Sequence, residues 1–326
     1  MRIPRAASLE SVIAAVGVLV AAGGLGCRNA DTPKLAAKEI GRDGDSESPT
    51  LVLERIRTVA VPRGMQIGGA QLLGDHDLLL WSSSSAKIWL HRGEGIDTLE
   101  LPDSLLIVKA FLSVDGHLEV IDARSRSINE YDHGSKPVRR SRCSIPLLDI
   151  WTAKRSRDGS WSVAGFDSHG RPQLAISRRG ACGSWSVVSF DSGAIGSPFT
   201  SESGTAVSYR DPKRGIDWLD STGRRVKAVA PDSAELYRMG LSQHDSASTW
   251  VATEAVEIQN ATLQVVADVK SDRRKLVLRD SLGRVLKTSE VQAMWSIVDH
   301  DTKSQRIVAA HKSDKLELLV YNWRWR

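Results

Sequence analysis

Residues 51–62 read LVLERIRTVAVP. The stretch has the pattern of an outer β-strand without a hairpin partner of its own. Its internal match lies far downstream, at Arg224–Pro231 (RRVKAVAP), where the same pattern forms the last strand of a repeat. At the other end of the chain, Lys315–Asn322 (KLELLVYN) stops one strand short of completing a repeat. A ring of sheets closes when an N-terminal strand fills such a gap, which leaves only short, protected edges.

Alternating apolar segments separated by turn residues run from about residue 64 to the end, with no long amphipathic helix. A marker recurs where the first strand of each repeat turns into the second. It reads LLGDHDLLLW around Asp75, FLSVDGHLEVID around Asp115 and KRSRDGSWSVAG around Asp158. PFTSESGTAVSY around Glu202, GLSQHDSASTWVA around Asp245 and IVDHDTKSQRIVAA around Asp301 complete the set. The steps are 40, 43, 44, 43 and 56 residues, a spacing that fits propeller blades of four strands. Asp220-Ser-Thr-Gly-Arg-Arg-Val and Asp280-Ser-Leu-Gly-Arg-Val are matching hairpin turns in which Gly supplies positive φ. The expected fold is therefore all-β, a six-bladed β-propeller whose ring is closed by the N-terminal strand of about 51–62. The long last step puts an insertion in the fifth blade. Ala255–Val269, between its second and third strands, is the preferred place, and Asp232–Ala247, ahead of the blade, is the alternative.

The Asp-x-x-Gly-Arg turns at 220 and 280 and the Asp-Gly turns at 115 and 158 resemble those of six-bladed propellers of the TolB-like and NHL-like kind, found in many exported bacterial proteins. The resemblance spans residues 51–326 and is architectural, since the fuller NHL consensus is not present. It implies a fold and no particular activity, because propellers host enzymes, lectins and scaffolds alike.

The N-terminus supplies a cellular address. Arg2 and Arg5 precede an apolar run, Val12–Gly26, that is short and rich in small residues, as in a secretory signal. Cys27 follows at the place of the acceptor cysteine of bacterial lipoproteins, with Leu25 one position later than is usual. Residues 1–27 thus read as a lipoprotein-type signal with Cys27 lipidated. The polar segment 28–50 reads as a flexible tether, and 51–326 as the propeller. Cys143 and Cys182 fall in outer parts of neighbouring repeats, and in an exported domain they are candidates for a disulfide.

Candidate chemistry is sparse. Histidine lies beside carboxylates in Asp75-His76-Asp77, His244-Asp245 and Asp299-His300-Asp301, three turns expected around one mouth of the channel. His76, His244, His300, Asp299 and Asp301 are accordingly the candidate ligands for a divalent metal. Asp, Ser and His also favour solvated turns without any ligand. A propeller lactonase would instead draw carboxylates from inner strands, for which Glu202, Asn260 and Asp149 are the residues to inspect. No Gly-x-Ser-x-Gly elbow, His-Glu-x-x-His or phosphate loop occurs. Most of the ten tryptophans read as blade packing. Trp323 and Trp325, two apart on one strand face, either bury against the closing strand or form a stacking patch with Arg324 and Arg326.

The formal charge of +5 becomes +4 without residues 1–26, and the basic clusters are spread over several repeats rather than gathered on one face. The expectation is a monomeric binding or protein-interaction module of the cell envelope, lipid-anchored or periplasmic. Its partner would be an envelope protein or extracellular ligand rather than nucleic acid, and it would meet the membrane only through the N-terminal lipid. No cofactor is required by this reading. The alternative is a metal-dependent hydrolase or lactonase with its site at the channel.

Overall fold

A computed structural model describes residues 38–40 and 51–325, apart from 62–65, 75, 94, 102–104, 114–115, 133–138, 157, 178–183, 191–194, 202–203, 242–248, 293 and 313–315. Strand alternation folds residues 69–100, 107–144, 149–189, 195–229 and 250–291 into five antiparallel sheets of four strands each. The sixth sheet is built from both ends of the chain. Ser296–Asp301, Arg306–Lys312 and Leu316–Trp325 are its first three strands, and Leu51–Ala60 adds the fourth by pairing antiparallel with Leu316–Trp325. The first strands of the six blades touch one another in cyclic order and surround the axis. The protein is a six-bladed β-propeller. Lys38–Ile40, within the segment expected as a tether, pairs with Leu51–Leu53 as a fifth strand outside the closing one.

The closing strand holds three blades together because it contains one residue too many. Its register against Leu316–Trp325 shifts between Arg55 and Arg57, leaving Ile56 as the extra residue, 43% exposed. Side chains two apart share a face of a strand, and a one-residue slip exchanges the faces. Leu51 and Leu53, before the shift, pack with Val256, Ile258 and Leu276 of blade 5 and with Trp323. Val59 and Val61, beyond it, pack with Leu78, Leu80 and Trp89 of blade 1. Arg57 faces the same way and donates to the carbonyl of His76 and to Nδ1 of His91, both in blade 1. Trp323 and Trp325 resolve to the packing alternative: Trp323 is 1% exposed beside Leu53, and Trp325 packs against the same cluster.

Five of the six expected first-to-second-strand turns fall where Asp75, Asp115, Asp158, Glu202 and Asp301 place them. The fifth does not, and the preferred position of the insertion is corrected with it. Ala255–Val269 is occupied by ordinary blade structure, the strands Trp250–Ile258 and Ala261–Asp268 joined through Gln259 and Asn260. The excess lies ahead of blade 5, over Asp232–Ala247. There a helix, Ser233–Arg238, is capped by Asp232 and Glu235 in a reciprocal box and buries Leu236 against Val266, Val277 and Val285. His244-Asp245, which lies outside the described residues, matches the His300-Asp301 marker in sequence because Asp, Ser and His recur wherever turn-forming composition does. The same chemistry recurs at a third place, Asp167-Ser-His-Gly-Arg171, between second and third strands. Its Asp167 Oδ1 accepts from the backbone N–H of His169 and Arg171, as Asp220 and Asp280 do in their own turns.

Deleting Ile56 should abolish the face exchange and strip one apolar pair of its neighbours, costing about 4 kcal/mol or more. Ile56→Ala, which keeps the register, should cost under about 1 kcal/mol. Urea unfolding of the two variants separates these outcomes, and equal midpoints would show that the bulge does not govern closure.

Candidate functional site

The axis of the ring carries the densest chemistry. In the first strands of blades 2 to 6 the register shifts between Ile107 and Lys109, Ile150 and Thr152, Ile195 and Pro198, Ala252 and Glu254, and Ile297 and Asp299. Each bulge re-aims the side chain that follows it. Three of those side chains, Lys109, Glu254 and Asp299, are charged. Blade 1 runs without a shift and offers Gln71.

Asp299 is the hub. Its Oδ2 accepts from the N–H of Leu72 at 2.8 Å and its Oδ1 from the Lys154 ammonium at 3.1 Å. Asp299 lies in blade 6 and Lys154 in blade 3, which face each other across a six-membered ring, so this ion pair spans the bore. Burial works to raise the pKa of Asp299. Lys154 first, then Lys109, His300 and the Leu72 N–H outweigh it and hold the group below the usual carboxylate value. Lys109, 7% exposed, sets its ammonium 4.6 Å from the centre of the Trp81 ring. Burial pulls its pKa down to about 8 against the pull of Asp299, with Lys154 adding to the depression. Gln71 is tied to blade 2 through both backbone groups of Leu112. In blade 5, Glu254 accepts from Thr253 Oγ1 at 2.6 Å. Burial pushes its pKa up to about 7, against the opposing effects of that bond and of Arg274.

The residues singled out from sequence are placed as follows. His76 is exposed in the first turn of blade 1, and Asp301 caps its own turn by accepting from Lys303 N, Ser304 N and Ser304 Oγ. His300 is half-buried between Asp299 and Asp301. His244, Glu202, Cys27 and Cys182 lie outside the described residues. Asp149 opens the inner strand of blade 3 and Asn260 follows the end of that of blade 5, so the two occupy opposite mouths. Among the described residues, no three His, Cys, Asp or Glu side chains converge. Cys143, on the outermost strand of blade 2, is disulfide-bonded. Lys109, Lys154 and Glu254 were missed. The signal for two of the hub positions was present as Ile-x-Lys at 107–109 and Ile-x-Asp at 297–299, a β-branched residue followed by an isolated charge inside a strand.

No protein-family model matches the chain, and no curated protein matches it in sequence. Solved structures match its shape. A candidate gluconolactonase superposes with a TM-score of 0.55 at 12% identity over 84% of this chain and 99% of its own. Virginiamycin B lyase from Staphylococcus aureus gives 0.51 at 9% identity, over 83% and 88%. The WD40 domain of Toxoplasma gondii coronin gives 0.50 at 10% identity, over 87% and 78%. These likenesses are of fold, and the proteins are named for different functions.

Two opposite pH effects follow. Asp299, depressed in the folded state, stabilises the protein above its unfolded pKa, and that contribution disappears as pH falls through its lower folded value. Glu254, raised, contributes stability below its unfolded pKa that is lost as pH climbs to about 7. Glu254→Gln should therefore gain about 2 kcal/mol relative to wild type between pH 5 and pH 8. Asp299→Asn should lose ground at neutral pH by about 3 kcal/mol, since it strands Lys154 and Lys109. Chemical denaturation across pH checks both.

Proposed function

We propose that this protein is an exported, lipid-anchored binding module of the cell envelope, recognising a protein or extracellular ligand at one end of its ring. The observation that carries the reading is the ion pair across the bore. Lysines from blades 2 and 3 crowd the carboxylate of Asp299. This is a donor set that repels a metal cation rather than holding one, and a rigid strut through the axis suits a scaffold. The disulfide at Cys143 supports an oxidising compartment, in keeping with the signal-like N-terminus and Cys27. The segment ahead of blade 5 supports a recognition surface. Its helix buries Leu236 and leaves Tyr237 83% exposed, an aromatic with no packing duty of its own.

The anchor is tested by palmitate labelling and membrane fractionation of the full-length chain. Wild type should incorporate label and sediment with membranes, whereas Cys27→Ser should do neither. A Cys27→Ser protein that still carries lipid would overturn the anchor. Turnover of lactones or aryl esters that depends on added divalent metal and disappears in Asp299→Asn would replace the binding reading with the hydrolase one.

A further inference from the structure

Around Lys109 hydrogen-bond donors outnumber acceptors. Both oxygens of Asp299 are engaged, one by Leu72 N–H and one by Lys154, and the amide of Gln71 is committed to Leu112. Among the described residues the Lys109 ammonium takes no hydrogen bond and no direct ion pair, although the residue is more than nine-tenths buried. It rests on the face of Trp81, whose own indole N–H is buried without an acceptor among the described residues. That indole is seated by Gly69, where an added Cβ would come within 2.2 Å of the ring. An ammonium that lacks a protein acceptor gains from an anion brought to it. Solvent reaches the cluster, because the Lys154 and Asp299 side chains remain 15% and 11% exposed.

We propose that the bore holds a site for a ligand bearing a single carboxylate, anchored on Lys109 and seated beside Trp81. The proposal rests on the binding-module reading and specifies its ligand chemistry. Charge selects the class. Two ammonium groups against one carboxylate leave a single positive charge, which one carboxylate neutralises. A dianion would overshoot and crowd Asp299. The carboxylate can belong to a small organic acid or to the C-terminus of a protein, and these two sources are separable by experiment.

The test uses the full-length chain at pH 7 in a buffer free of carboxylates, with two readouts. One is the thermal midpoint, and the other is the rate at which Lys109 is acetylated, followed by mass spectrometry. The probes are benzoate against benzamide, a short peptide with a free against an amidated C-terminus, and sulfate. At least one carboxylate should raise the midpoint and slow Lys109 acetylation about tenfold, while its amide does neither. Benzoate acting points to small acids, and the free-terminus peptide acting alone points to protein C-termini. Lys109→Met should fold, since an unbranched apolar side chain fits beside Trp81 and Lys154 still pairs with Asp299, and should lose the shift, while Lys109→Arg should keep part of it. The proposal is overturned if no carboxylate acts, if the shift survives in Lys109→Met, or if sulfate acts as strongly as benzoate. A chain that is still membrane-anchored and still binds an envelope partner, yet shows none of these effects, loses only the carboxylate site.

Discussion

One surplus residue in one strand sets how the ring is held. A regular strand at the place of Leu51–Ala60 would direct all its alternate apolar side chains to a single neighbouring blade. The slip at Ile56 divides them, so that Leu51 and Leu53 serve the seam with blade 5 while Val59 and Val61 serve the seam with blade 1. The final blade has two seams to seal and only its own strands with which to do so. The same device appears on the inside, where bulges in five of six first strands redirect single side chains. Outside, the slip distributes apolar surface between blades. Inside, it places charge at the axis.

That inner charge gives the molecule its chemical character. Lys154 crosses from blade 3 to reach Asp299 in blade 6, and Lys109 from blade 2 stands close enough to both for their fields to shape its own. In a low-dielectric bore each group's proton affinity becomes a property of the cluster. Propellers of similar shape include a lyase, a candidate gluconolactonase and a WD40 domain. What separates one from another is the set of side chains that each blade offers to the axis.

The sequence carried the outline of the fold well. The orphan strand at 51–62, the short C-terminal repeat and the Asp-marked turns led to six blades closed by the N-terminus, because strand alternation and turn chemistry are local properties. The insertion ahead of blade 5 was misplaced for a related reason. Asp245 matches a local turn pattern in sequence, and such a pattern does not say whether it belongs to a blade or to the segment ahead of one. The Asp-Ser-His-Gly-Arg turn at 167, at a different strand junction from those at 220 and 280, makes the same point. The axial cluster was hardest to read. No two of its members come from the same blade, and Asp299 reads from sequence as a candidate metal ligand beside His300. Nothing in the local sequence of Lys109 or Lys154 marks either as axial, because only ring closure brings them to the bore.

The closing strand also fixes an order of events. Leu51–Ala60 leaves the ribosome long before Leu316–Trp325, the segment it must pair with. Until the last residues emerge, its backbone donors and acceptors have no native strand to meet, and the apolar faces on either side of it are open. The individual blades are meanders of neighbouring segments, able to assemble locally as the chain lengthens. The seam is the opposite, a contact between the two ends of the propeller sequence, which is the kind that slows folding most. The ring is therefore a structure that locks late. Any chain that lacks either end has five complete sheets and one that is missing its outer strand or its partner.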